Sequence, residues 1–263
     1  MSEEIKYETK RIDHLGIVAG VCHEIDLIPQ VDAALGPCER KVSCGHAVQA
    51  MVLNALGFSG RALYLMPDYL ANKPVELLIG DGLNAEDFND DSLGRTLDDL
   101  YEAGVTEVFA RVAAHAVRVY GIEVRFAHLD TSSFHVHGEY EAGEPQAIEI
   151  VRGYSKEHRP DLKQVVLSLI TAQHSALPVW LEVLSGNSSD QKSFPASESA
   201  YTRQFAEGEA PYFVMDSVGY SQANLVELGK TGWLMRVPET LSEAKQYIEE
   251  IYQAEMQPLQ PGY

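Results

Sequence analysis

Hydrophobic positions recur with two different periods in this chain, and the change falls near Gly121. Before it, apolar side chains return every three or four residues, the spacing that lays one face of a helix against a core. Ser43 is placed to cap a helix carrying Ala47, Val48, Met51, Val52 and Ala55 and ending near Gly57. Further helices are predicted over residues 17–27, 60–70 and 91–102. Another is predicted with Thr106 as its cap, Val108, Phe109, Val112, Ala113, Val117 and Tyr120 on its apolar side, and Gly121 as its stop. After Gly121 the runs are strand-like: 124–134, 147–154, 162–173 and 177–184. A helix over 194–206, a strand over 212–216, a turn at Gly219, a helix capped by Ser221 and a strand over 233–237 follow. Val165, Val166, Leu167, Leu169 and Ile170 are apolar at both parities, which predicts a central strand covered on both faces. The pattern predicts an α/β (α+β) chain: a helical region over 1–120, then a mixed-sheet domain with flanking helices over 121–263.

Asp130 breaks this pattern. It lies within Phe126-Ala127-His128-Leu129-Asp130-Thr131-Ser132, which reads as a buried strand, and an ionised carboxylate buried alone costs several kcal/mol or more. Asp216 ends the apolar run Tyr212-Phe213-Val214-Met215 in the same way. Two acids on two strands suggest a shared metal site. Thr131 and Ser132 are candidate hydrogen-bond donors behind it, Thr131 reading more simply as a polar strand residue.

Composition narrows the partners. A formal charge of −19 opposes non-specific nucleic-acid affinity, which comes mainly from Lys and Arg displacing phosphate counterions. The densest basic cluster, Arg152, Lys156, His158, Arg159 and Lys163, lies between the two acids in sequence; as composition alone it reads as a solvated turn. Cys22, Cys38 and Cys44 make no disulfide framework, the N-terminus has no signal-peptide pattern, and no long apolar run reads as a membrane span, so a cytoplasmic protein is expected. His128 shares a strand face with Asp130, while His135 and His137 fall opposite, where a separate His/Asp metal site is conceivable. Cys38, Cys44 and His46 lack the paired spacing of structural zinc.

Four segments in order carry a resemblance: His128-Leu129-Asp130-Thr131-Ser132-Ser133-Phe134, Gly153 to Gln164, Gly186-Asn187-Ser188-Ser189-Asp190, and Met215-Asp216-Ser217-Val218-Gly219-Tyr220. Together they resemble the DDE transposases of bacterial insertion sequences, of the type with a β-rich insertion before the last acid. Leu15-Gly16-Ile17-Val18 and Asp91 to Asp98 resemble the leader region of that family, so the likeness spans nearly the whole chain. It implies an RNase H-like catalytic sheet, two Mg²⁺ or Mn²⁺ ions, and Asp130 and Asp216 as metal-binding catalytic residues. It also implies Arg152, Lys156, Arg159 and Lys163 as DNA phosphate contacts. The chemistry implied is water-driven cleavage at element ends, then attack of the freed 3′-hydroxyl on target DNA. A homodimer, or a mixed complex with a full-length transposase, and association with the nucleoid go with it.

The family's third acid is a helical Glu beyond the insertion. Glu243, Glu249, Glu250 and Glu255 are the late candidates, and none has the surrounding Tyr and Arg or Lys pattern. The expectation is therefore an RNase H-like domain truncated within its insertion and an impaired transposase. The alternatives are a non-catalytic DNA- or transposase-binding fragment and an unrelated His/Asp metalloprotein.

Overall fold

The computed structural model describes residues 9–58, 60–140, 148–154, 158–205, 209–217, 220–228 and 231–253. The chain divides into two compact units, 1–122 and 123–263.

The first unit is helical: α1 Leu15–Glu24, α2 Leu27–Leu35, α3 Cys44–Ala55, α4 Met66–Leu70, α5 Val75–Leu78, α6 Asp90–Ala103 and α7 Val105–Tyr120. Asp26 adopts a left-handed backbone, φ 49°, which splits the single helix predicted over 17–27 into α1 and α2. Ser43 caps α3 as its position suggested, its hydroxyl accepting from the His46 amide at 3.2 Å. Thr106 does not cap α7. Gly104 does, at φ 87°, and Thr106 falls within the first turn. Over 60–70 only α4 is α-helical, with Pro67 in its first turn, where a missing N–H leaves no bond unmade. Ala47, Ala50 and Leu53 of α3 are fully buried in one cluster with Met66, Leu70 and Phe88.

Two polar side chains pin the chain after α3. The Asn54 amide donates to the Arg61 carbonyl at 2.6 Å and accepts from the Arg61 N–H at 2.8 Å. The Tyr69 hydroxyl donates to the Leu53 carbonyl at 2.8 Å.

The second unit is built on five strands, β1 Phe126–Val136, β2 Lys163–Ala172, β3 Pro178–Ser185, β4 Tyr212–Met215 and β5 Trp233–Met235, with α8 Asp190–Thr202, α9 Gln222–Glu227 and α10 Ser242–Gln253. The sheet order is β3-β2-β1-β4-β5. β1, β2 and β3 are antiparallel neighbours, while β4 runs parallel to β1 and β5 parallel to β4. The α/β class predicted from the pattern is thus the one observed, a mixed sheet with helices.

α8 covers one face. Tyr201 on it meets Trp180 of β3 and Phe213 of β4 with ring centroids at 5.8 and 6.2 Å, and Ser197 reaches Ser168 of β2 at 3.2 Å. Ala127, Leu129 and Thr131 of β1, Ser168 and Ile170 of β2, and Phe213 and Met215 of β4 are buried on that side. Val165, Leu167 and Leu169 are only half-buried. The expectation that β2 is covered on both faces therefore fails among the described residues: its second apolar row lies on an open face. α10 buries Ala244 and leaves Tyr247, Ile248 and Ile251 exposed, and no described helix is long and apolar enough to cross a membrane.

The strand predicted over 147–154 also fails. Residue 147 lies outside the described part, and the rest makes one isolated bridge, Val151 to Gln164. Close packing holds this segment instead. Gly186 donates its N–H to the Glu149 carbonyl at 3.0 Å, and the buried Gln164 amide donates to the Gly186 carbonyl at 2.7 Å. A Cβ on Gly186 would lie 2.0 Å from the Gln164 carbonyl oxygen and 2.4 Å from that of Val151. A Cβ on Gly153 would lie 1.9 Å from the Gly186 carbonyl oxygen.

Gly186→Ala must therefore displace backbone, and chemical denaturation should show a loss of about 1–3 kcal/mol. Gly94→Ala, within α6 where an added Cβ meets nothing within 4 Å, should gain about 0.5–1 kcal/mol. Equal effects at the two positions would contradict the packing described.

Candidate active site

Side chains alternate across a strand, so the burial of Ala127, Leu129 and Thr131 against α8 turns His128, Asp130 and Ser132 to the open face. Asp130 is exposed, contrary to its expected burial. The strand is covered on one side only, and the carboxylate takes the side that needs no desolvation. Its Oδ1 accepts from the Thr131 N–H at 2.8 Å, while the Thr131 side chain is buried on the other face.

Asp216 comes to the same place through the sheet. β1 and β4 pair in parallel with Phe126 opposite Tyr212, Ala127 opposite Phe213 and His128 opposite Val214. Asp130 and Asp216 each lie two residues beyond the last of these pairs, Asp216 just past the end of β4. Asp216 is exposed, and both acids line one open groove of about 710 Å³ with His128, Ser132, Thr171, Gln173 and His174. Two carboxylates lining one groove repel each other, and a cation between them reverses the sign. Their oxygens are hard donors suited to Mg²⁺ or Mn²⁺, which is commonly held by one or two carboxylates and completed by water. The residues present fit one such hydrated ion. Among the described residues, no group of three or more His, Cys, Asp or Glu is arranged to hold a metal.

One neighbour was missed in the sequence. β4 and β5 pair with Met215 opposite Met235, and Arg236 follows Met235 as Asp216 follows Met215. The exposed Arg236 guanidinium donates to the Ser217 hydroxyl at 3.4 Å and lies 3.7 Å from Glu239. The signal was its place just past the apolar triplet Trp233-Leu234-Met235, the same position Asp216 has after β4.

The basic cluster lies elsewhere. Lys163 pairs with Val136 at the end of β1, six residues beyond Asp130 and so about 20 Å along the strand. Its ammonium donates to the Glu139 and Tyr140 carbonyls. Arg159 makes a two-point pair with Asp161 at 2.9 and 2.7 Å, and its guanidinium holds the Asp161 carboxyl down at about 2. Arg152 is exposed beside the Val151 bridge, and Lys156 lies outside the described residues. The structure brings Asp130 and Asp216 together and sets Arg152, Arg159 and Lys163 apart from them.

The other metal constellations do not assemble among the described residues. The Arg40 guanidinium occupies the space at Cys38 and Cys44, 3.0 Å from each sulfur, and His46 turns to the Ser43 hydroxyl at 2.8 Å. Burial pushes the Cys44 thiol up to about 11, away from the thiolate a metal needs.

A family profile described as a domain of unknown function (DUF4277) matches residues 7–114, within the helical unit. Curated protein sequences contain no match. Among solved structures, a piggyBac transposase synaptic complex with hairpin DNA aligns at 11% identity and TM-score 0.37, covering 98% of this chain and 48% of that one. This chain thus spans about half the length of that match. A Mos1 transposase paired-end complex with the left transposon end aligns at 10% identity and TM-score 0.28, and a Mos1 mariner paired-end complex with Mn at 12% and 0.28. Each of the two covers 84% of this chain and 74% of its own. At TM-scores this low the likeness is no ground for assigning an activity.

Because both acids face water, Asp130→Asn and Asp216→Asn should each change unfolding free energy by less than about 1 kcal/mol in urea titrations. A loss of several kcal/mol would mean that the carboxylates are structural.

Proposed function

We propose that the second unit is an RNase H-like domain of transposase type, acting on DNA by metal-assisted phosphoryl transfer. The observation that carries this reading is that Asp130 and Asp216, each two residues past the last pair of the parallel β1–β4 ladder, line the same open groove. The mixed sheet order, three antiparallel strands followed by two parallel ones, supports it.

In this reading Asp130 and Asp216 hold a divalent cation, Mg²⁺ or Mn²⁺. The bound ion would activate the attacking water or 3′-hydroxyl and stabilise the leaving oxygen. Arg236 contacts a phosphate oxygen beside the ion, and His128 and His174 line the path of the strand. DNA is the partner, first an element end and then a target. A homodimer or a mixed complex with a longer relative brings two ends together. Arg152, Lys156, Arg159 and Lys163 make phosphate contacts further along the duplex, Arg159 only by giving up Asp161.

No third carboxylate joins the pair among the described residues, which favours a weaker second reading: an impaired copy that binds DNA or a related transposase without cutting. Glu243, Glu249 and Glu250 lie exposed on α10, and Glu255 lies outside the described residues.

Titration with Mn²⁺, followed by electron paramagnetic resonance, should show one weak site that Asp130→Ala and Asp216→Ala each abolish. Supercoiled plasmid with Mn²⁺ should be nicked by the wild type and not by these variants. Arg236→Ala should slow nicking about tenfold, roughly 1.4 kcal/mol in the barrier, and leave Mn²⁺ binding unchanged. Mn²⁺ binding that survives both Asp substitutions would sink the proposal. Metal and DNA binding without nicking would establish the second reading.

A further inference from the structure

The helical unit holds a cavity of about 480 Å³ lined by Arg11, His14, Phe58, Arg61 and Lys73 together with Asp13 and Asp68. That volume lies within the range of small-ligand sites, about 300–1,000 Å³. Three cationic side chains meet two carboxylates here, a local positive excess in a chain whose formal charge is −19. Lys73 is committed: it pairs with Asp13 at 3.3 Å and lies 5.5 Å from the Tyr69 ring centroid.

Arg11 and Arg61 are placed differently. Their backbones are anchored, Arg11 by its N–H to the Asn72 carbonyl at 2.9 Å and Arg61 by the two bonds to Asn54. Their guanidinium groups make no ion pair among the described residues. A fixed backbone with an uncommitted guanidinium is a pre-positioned phosphate contact. Phe58 stands on the rim, 86% exposed, with one side of its ring 4.3 Å from the His14 ring, and Tyr64 is 68% exposed nearby in sequence. A water-facing aromatic ring in one cavity with two arginines that make no ion pair is the element of a single-strand platform, where a base stacks and a phosphate is neutralised.

We infer that this cavity binds single-stranded nucleic acid, a phosphate between Arg11 and Arg61 and an unpaired base on Phe58. A paired duplex hides its base faces from such a ring, so the site selects unpaired or frayed strands. The inference adds a binding site to the proposed function and does not require cleavage by the other unit.

The test is fluorescence anisotropy with the full chain in EDTA, using a labelled mixed-sequence strand of about 15 nucleotides and the corresponding duplex. Single strand should bind more tightly than duplex. Joint replacement Arg11→Ala and Arg61→Ala should weaken binding at least tenfold and lower the log–log salt slope by about 0.7, the share of one phosphate. Phe58→Ala should weaken it about fivefold or more with the slope unchanged. Asp68→Asn should tighten it, a gain that misfolding does not mimic. No single-strand binding by the wild type, unchanged affinity in the Arg and Phe variants, or a duplex preference would overturn the inference. The measurement is made in EDTA, without any divalent cation, so failure here and failure of the metal-site reading are told apart.

Discussion

The parallel pairing of β1 with β4 is the constraint on which the candidate site depends. Three residue pairs set the register, and two acids distant in sequence follow at the same offset from the last pair and line one groove. Neither strand has to bury a charge to do so. The apolar alternates, Leu129 and Ala127 on one strand and Phe213 and Met215 on the other, take the α8 side and leave the carboxylates in water. Hydrophobic burial thus supplies the positioning, and the charges are carried at little cost to folding.

Much of this was legible from side-chain periodicity. The change from helical to strand spacing near Gly121, the Ser43 and Ser221 caps, and the strands containing Val166 and Phe213 follow from local patterns that tertiary packing reinforced. That Asp130 and Asp216 belong to similar strand ends was visible as a repeated motif, and the two line one groove. What failed depended on long-range geometry. An apolar run reads as doubly covered whether or not a second layer exists, so β2 and Asp130 were assigned more burial than they have. The segment around Val151 looked strand-like because its fixing partners, Gly186 and Gln164, lie far along the chain. Arg236 went unnoticed because its neighbour is set by the β4–β5 register, which no local pattern encodes.

Charge is distributed more unevenly than the formal total suggests. Arg40, Arg159 and Lys163 are each engaged locally, by thiols and an acid, by Asp161, and by backbone carbonyls. Arg11 and Arg61 instead line an open cavity with no ion pair among the described residues, and Arg236 is exposed with only Glu239, at 3.7 Å, as its acid. In an acidic protein, guanidinium groups left without an acid beside them are where a local attraction for polyanions can arise.

The one-sided burial of β1 also fixes its register. A single-residue slip in this strand would exchange Leu129 for Asp130 against α8 and ruin the core before it touched any chemistry. The register that folds the protein is therefore also the one that keeps both carboxylate positions on the open face. Packing conserves that arrangement whether or not any reaction depends on it.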